Sequence, residues 1–294
     1  MDVGRSGSLI KRYKDKKDLQ QGDKVIALSL DVDSDAVASI LSGKAAELNQ
    51  EAVDNGLVRE NGAFKIIKGE QGIEVNVEDS IAAIENYISS EWDGGNAEIE
   101  LVAEVVEPRG SEEDLEQITD LMGSYTTNYK DSGQNRCDNI SNATSKINGT
   151  LLYPGEEFSV YEAIGPLDAA NGYELAGAYE NGQTVESYGG GVCQVSTTLY
   201  NAAILAELEI TQRSNHSMIV SYVKPSMDAA IAGTYKDIKV TNPYDTPIYI
   251  EAGTSGKTLT FTIYGKETRP ANRTIQYVSE TLSVTDPGET VVQD

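Results

Sequence analysis

Apolar positions along the chain follow two rhythms. Val37, Ile40, Leu41, Ala45 and Leu48 recur near the 3.6-residue period and predict a helix within 33–55. Ile81, Ile84 and Ile88 mark one face of a second helix, from Val77 to Ser90. Val195, Leu199, Ala202 and Ala206 stand at i, i+4, i+7 and i+11 and predict a third over 194–208. Further helices are predicted over Cys137–Ile147 and, from its acidic run, Glu112–Leu121. Alternating or β-branched runs predict strands at Val25–Val32, Phe64–Ile67, Glu98–Val106, Pro247–Ile250, Leu259–Tyr264 and Thr274–Val284. Gly253–Lys257 joins two of these as a hairpin. The expected fold is α+β with two domains, the second built on a mostly antiparallel sheet.

The break falls at Pro108-Arg109-Gly110-Ser111. The expected organisation is a tag or linker over 1–22, a small α+β module over 23–108 and a linker over 109–121, then a larger domain over 122–266 and an extension over 267–294. Met1–Ser8 reads as an expression scar, which leaves open a membrane anchor upstream. No run reaches the roughly 18 apolar residues of a membrane span, and the first residues lack a secretory hydrophobic segment.

Charge narrows the function classes. With 47 acidic against 23 basic residues, the net charge is −24, which argues against a phosphate-binding surface and so against nucleic acid. Lys11, Arg12, Lys14, Lys16 and Lys17 bunch together, as a membrane-proximal patch or a solvated tail.

The candidate chemistry centres on Gly189-Gly190-Gly191-Val192-Cys193. Three glycines deliver one of two cysteines to a predicted helix start, where the helix dipole favours a thiolate. Ser196 and Thr197 sit where hydroxyls cap free N–H groups. The competing reading is a small buried hydrophobe. The chain's one histidine, His216, follows 23 positions later and is the candidate base for that thiol, or else a surface residue of the Arg213-Ser214-Asn215 turn. A Cys137–Cys193 disulfide would disable a thiol enzyme, so two free thiols are expected. One histidine and two separated cysteines match no common zinc spacing, so no metal or other cofactor is expected.

The stretch from Gly189 to Ala202 resembles the signature of the VanW domain family. Further blocks match in order, including Asn135-Arg136, Asn139-Ile140, Asn148-Gly149-Thr150, Pro154-Gly155-Glu156-Glu157-Phe158-Ser159, Gly165-Pro166, Arg213 with His216, Asp228-Ala229 and Asp237-Ile238-Lys239. The resemblance covers roughly 122–266. Asn61-Gly62-Ala63-Phe64, Gly69-Glu70-Gln71-Gly72 and Val77 more weakly resemble the peptidoglycan-binding domain that often precedes it; a structural spacer is the alternative.

The resemblance implies extracytoplasmic cell-wall work in a Gram-positive bacterium, on peptidoglycan stem peptides, as an L,D-transpeptidase. Cys193 would be the nucleophile and His216 the base. Asp228 would orient His216, with Asp237 competing for that role. Main-chain N–H groups around Gly190, Gly191 and Gln194 would hold an oxyanion, with Ser196 and Thr197 beside them. Arg213 and Arg136 would bind a stem-peptide carboxylate, or else form structural salt bridges. The alternatives are a non-catalytic peptidoglycan-binding protein and an L,D-carboxypeptidase using the same cysteine.

Overall fold

The computed structural model describes residues 3–22, 32–180 and 183–285. The strand expected over Val25–Val32 lies outside them except for its last residue. In chain order the elements are α1 (Leu9–Gln21), α2 (Ser34–Leu48), β1 (Gly56–Glu60), β2 (Ala63–Ile67), β3 (Gly72–Val75), α3 (Val77–Ser90), β4 (Ala103–Val106), α4 (Glu112–Glu116), β5 (Asp120–Asn128) and α5 (Gln134–Ile147). There follow β6 (Thr150–Leu152), β7 (Glu157–Ser159), α6 (Val160–Ile164), β8 (Leu175–Glu180), β9 (Gln183–Tyr188), α7 (Val192–Leu205), β10 (Glu209–Gln212), β11 (Lys239–Thr241), β12 (Ile248–Ser255) and β13 (Thr258–Gly265). Internal contacts group these into two units: residues up to 52 with 71–107, and 53–70 with those from 108 onward.

In the first unit, helix starts follow capping chemistry. Asp33 accepts from Ala36 N–H and Asn76 from Asp79 N–H, each at 3.0 Å, which sets the beginnings of α2 and α3. Strand β4 begins only at Ala103, shorter than the expected Glu98–Val106. Its partner β3 has four residues before Asn76 turns into α3, so only Ala103–Val106 find a ladder. Among the described residues no helix is long and apolar enough to cross a membrane.

The second unit is built on an antiparallel sheet of order β5-β13-β12-β6, with a smaller sheet β10-β11-β7 beside it. Gly256 and Lys257 join β12 to β13 at φ of 54° and 58°, the paired positive values that a two-residue hairpin loop of type I′ demands. The sheet cuts α4 short of Leu121: Thr119 N–H already donates to Gly265 O and Asp120 pairs with Gly265. Helix α7 lays Val195, Leu199, Ala202 and Ala206, all at 0% exposure, against β5 and β13. Helix α5 adds Ile140, Ala143 and Ile147 against β12, also at 0%.

The opposite face of the sheet carries Tyr249 and Tyr264. The β1–β2 hairpin covers them, with the Phe64 ring edge-on to both at 5.4 and 5.2 Å. Arg59 lies 4.6 Å from the Tyr264 ring centre and pairs with Glu251 at 3.2 Å. A stretch that the linear reading placed inside the first module is thus packed as part of the second unit. Beyond β13, Thr274–Val284 forms no strand despite its alternation. Leu282 and Val284 are 90% and 86% exposed, and no edge of either sheet pairs with them among the described residues.

Candidate active site

Helix α7 starts immediately after β9 and the glycine loop. Gly191 caps it at φ 116°, a left-handed conformation open chiefly to glycine. Gly190 allows close approach: a Cβ there would meet Ala176 O at 2.5 Å. Asn139 of α5, at 0% exposure, fixes the loop from behind. Its Nδ2 donates to Glu174 O at 2.9 Å and Gly190 O at 3.0 Å, and its Oδ1 accepts from Glu174 N–H at 2.7 Å.

Cys193 is a free, half-buried thiol on the first turn of α7. Its S–H donates to Ile231 O at 3.6 Å and its sulfur accepts from Ile231 N–H at 3.4 Å. Burial pushes its pKa up, which outweighs the Ile231 N–H and the nearby Arg136 and Lys236 that pull it down. The expectation that the helix start would favour a resting thiolate is therefore corrected: desolvation wins, and the resting group is the thiol.

His216 Nδ1 sits 2.6 Å from Asp228 Oδ2, and the same oxygen accepts the His216 main-chain N–H at 2.7 Å. Both side chains are buried, at 7% and 10% exposure. Desolvation raises the Asp228 pKa, but the two hydrogen bonds from His216 and the charge of Arg213 more than offset it, so the carboxyl stays below its usual value. With Nδ1–H donated to this carboxylate, the neutral imidazole has its lone pair on Nε2. Among the described residues no hydrogen bond joins Cys193 to His216. Both instead line one cavity of about 1030 Å³, together with Arg136, Gln194, Tyr222 and Ile231.

A family model described as "VanW like protein" matches residues 135–264, and one described as "Putative peptidoglycan binding domain" matches residues 1–94. Over 214 residues the chain is 31% identical to "Uncharacterized protein YoaR" of Bacillus subtilis, covering 72% of this chain and 69% of that protein. The chain belongs to the VanW-like family. It is also 28% identical over 158 residues to "Vancomycin B-type resistance protein VanW" of Enterococcus faecalis, covering 50% of this chain and 57% of that one. No solved structure matches it.

Within this VanW-like domain the residues singled out by sequence divide into two groups. Cys193, His216, Gly190, Gly191, Gln194 and Arg136 meet at the cavity, with Asp228 directly behind His216. Ser196 and Thr197 do not reach it. Both are at 0% exposure, with their hydroxyls donating to Ala229 O at 2.7 and 3.1 Å, so they latch α7 to the 228–231 segment rather than cap the helix's own N–H groups or line the cavity. Gln194 N–H is already donated to Gly191 O at 2.9 Å and is not available to an oxyanion. Arg213 pairs with Asp228 Oδ1 at 3.1 Å and donates to Asp228 O at 2.7 Å, the structural salt bridge of the two readings. Asp237 lies elsewhere, accepting from Ser159 Oγ and Tyr161 N–H. Sequence reasoning missed Tyr222 and Ile231. Tyr222 carried no signal beyond an apolar run, and Ile231 acts through its main chain, which side-chain type does not reveal.

Proposed function

We propose that this protein is an extracytoplasmic enzyme that transfers acyl groups between peptidoglycan stem peptides. In this reading it is an L,D-transpeptidase with Cys193 as nucleophile. One observation carries the reading: Cys193 and His216 line the same cavity, and Asp228 holds His216 in the tautomer that leaves Nε2 as a base. The peptidoglycan-binding description of the N-terminal match and the resistance protein among the relatives support the substrate class.

His216 Nε2 takes the thiol proton as the sulfur attacks the carbonyl carbon of the third stem residue. In this reading the main-chain N–H of Cys193 donates to the developing oxyanion. Collapse breaks the C–N bond to the terminal D-alanine, whose nitrogen takes the proton from His216, leaving a thioester. An amine of a second stem then attacks the thioester carbon and gives a proton to His216. The C–S bond breaks and the sulfur departs as the thiol with that proton. A resting thiol with a base in the same cavity suits this sequence, because deprotonation accompanies attack.

The raised pKa of Cys193 favours a second reading, a protein that binds stem peptides without cleaving them. Incubation with a disaccharide-tetrapeptide ending in D-alanine separates the readings by mass spectrometry. The expected products are free D-alanine and a dimer linked between two third residues, both lost in Cys193→Ala. Dimer formed equally by that variant overturns the role of Cys193. A tripeptide monomer alone indicates a carboxypeptidase, and intact tetrapeptide with folded protein indicates a binding protein.

A further inference from the structure

The second unit holds six arginines, and five of them are neutralised. Arg59 pairs with Glu251, Arg109 with Asp54 and Glu156, Arg213 with Asp228, Arg269 with Glu267 and Glu207, and Arg273 with Glu207. Arg136 is the exception: it forms no ion pair among the described residues. In a chain with 47 acidic residues an arginine without a carboxylate is conspicuous, and this one lines the cavity that contains Cys193.

Its guanidinium is nonetheless fixed. Nη1 donates to Ser132 Oγ at 2.7 Å and Nη2 to Gln194 Oε1 at 2.8 Å, both neutral acceptors. Gln194 is at 1% exposure and is itself anchored, with Nε2 donating to Thr127 Oγ1 and Asn128 O at 3.0 Å each. Two of the five guanidinium N–H groups are thereby spent on orientation, and among the described residues no carboxylate pairs with the charge. The Arg136 stem lies against the glycine loop, where a Cβ on Gly191 would touch its Cγ at 3.0 Å. Its charge is felt at the Cys193 sulfur two residues further on. Among the described residues the other lining side chains that carry a formal charge are Lys130 and Asp131, of opposite sign, while His216 is hydrogen-bonded to Asp228.

We propose that Arg136 is the carboxylate anchor of this cavity. It binds the free C-terminal carboxylate of the acyl-donor peptide, and Gln194 is the positioning residue that holds its fork. The inference rests on the reading of the cavity as a stem-peptide site and deepens it. The donor is then expected to end in a free carboxylate a short way beyond the bond that Cys193 attacks, because a preoriented guanidinium in the same cavity as the sulfur rewards a short leaving group and a planar anion.

The test measures affinity and needs no catalysis. The probe is L-alanyl-D-isoglutaminyl-L-lysyl-D-alanine, whose single carboxylate is the terminal one, compared with its C-terminal amide. Binding of each to the full chain carrying Cys193→Ala is measured by calorimetry. The acid should bind roughly ten- to a hundredfold tighter than the amide, the range expected for a hydrogen bond to a charged group. Arg136→Met should abolish that difference, and Arg136→Lys should restore part of it. Equal affinities for acid and amide, or no measurable affinity for the acid, overturn the anchor. If Arg136→Met does not fold, the acid–amide comparison with the arginine in place decides the matter alone. The outcome is separable from the chemistry: D-alaninamide released by the unaltered enzyme as fast as D-alanine would remove the anchor and leave acyl transfer standing.

Discussion

The two walls of the cavity are held in different ways. One is made by α5 and α7, whose regular hydrogen bonds and buried apolar faces fix Arg136, Gly191 and Cys193 against the sheet. The other is made by residues 213–238, which are almost without regular structure and are held by side chains gripping main chain. Arg213 donates to Asp228 O and Ser226 O, Asp228 accepts the His216 N–H, and Ala230 N–H donates to Ser214 O. The two walls meet at the latch of Ser196 and Thr197 on Ala229 and at the pairing of Cys193 with Ile231. The nucleophile therefore sits on a rigid element, while the loop wall determines both the base and the sulfur's surroundings. Changes in the loop wall can alter reactivity without moving the sulfur.

The largest expected effect breaks the loop wall's chemical contribution. His216→Ala should lower thioester formation by about 10²–10⁴, read by single-turnover release of D-alanine, with the helical circular dichroism unchanged. Asp228→Asn should cost less, because Nε2 is retained and only its tautomer control is weakened. Unchanged turnover in folded His216→Ala would remove the loop wall from the chemistry and leave it a structural role.

The contrast between the walls also marks how far the sequence could be read. The helix wall was legible: Val195, Leu199, Ala202 and Ala206 announce α7 by spacing alone, and the glycines announce its abrupt start. Asn76 likewise sets the start of α3 at the expected Val77. The loop wall was legible only as a set of polar residues, since no period orders 213–238. That Asp228 rather than Asp237 reaches His216 is decided by a fold-back of twelve residues, which no local pattern encodes. The place of the β1–β2 hairpin was hidden for a similar reason. Phe64 reads as a strand residue, but its partners Tyr249 and Tyr264 lie far along the chain. Thr274–Val284 fails in the opposite sense: it alternates well and finds no edge to pair with.

A smaller effect is expected at the seam between the walls. Thr197→Val keeps the side-chain shape but removes the hydroxyl that donates to Ala229 O and accepts Ala229 N–H at 2.9 Å. The buried Ala229 N–H loses its partner while Ala229 O keeps the Ser196 hydroxyl, so urea denaturation should show a loss of about 1–3 kcal/mol. Turnover at low urea should fall by less than in His216→Ala, because the base and the sulfur both remain. A variant as stable as the parent would mean that the latch is replaceable and that the apolar packing of α7 alone seats the helix.

The smallest effect separates the two influences on the sulfur itself. The Ile231 N–H, Arg136 and Lys236 favour thiolate, and burial favours thiol; burial prevails, so the Cys193 pKa lies above the ordinary value. A raised pKa in an acid that is neutral when protonated means that the folded state holds the proton more tightly. Its contribution to stability is then fully present below the ordinary thiol value of about 8.5 and is lost as pH rises through the folded-state value. Alkylation of Cys193 by iodoacetamide, followed by peptide mass spectrometry, should be slow at neutral pH. It should climb with a midpoint above that of the same cysteine in urea-unfolded protein. Cys193→Ala should remove the corresponding fall in stability on the alkaline side. A midpoint below the unfolded value would show that the helix wall dominates and that the thiolate is formed before substrate arrives. His216 would then be needed for the leaving and incoming amines and not for activating the sulfur.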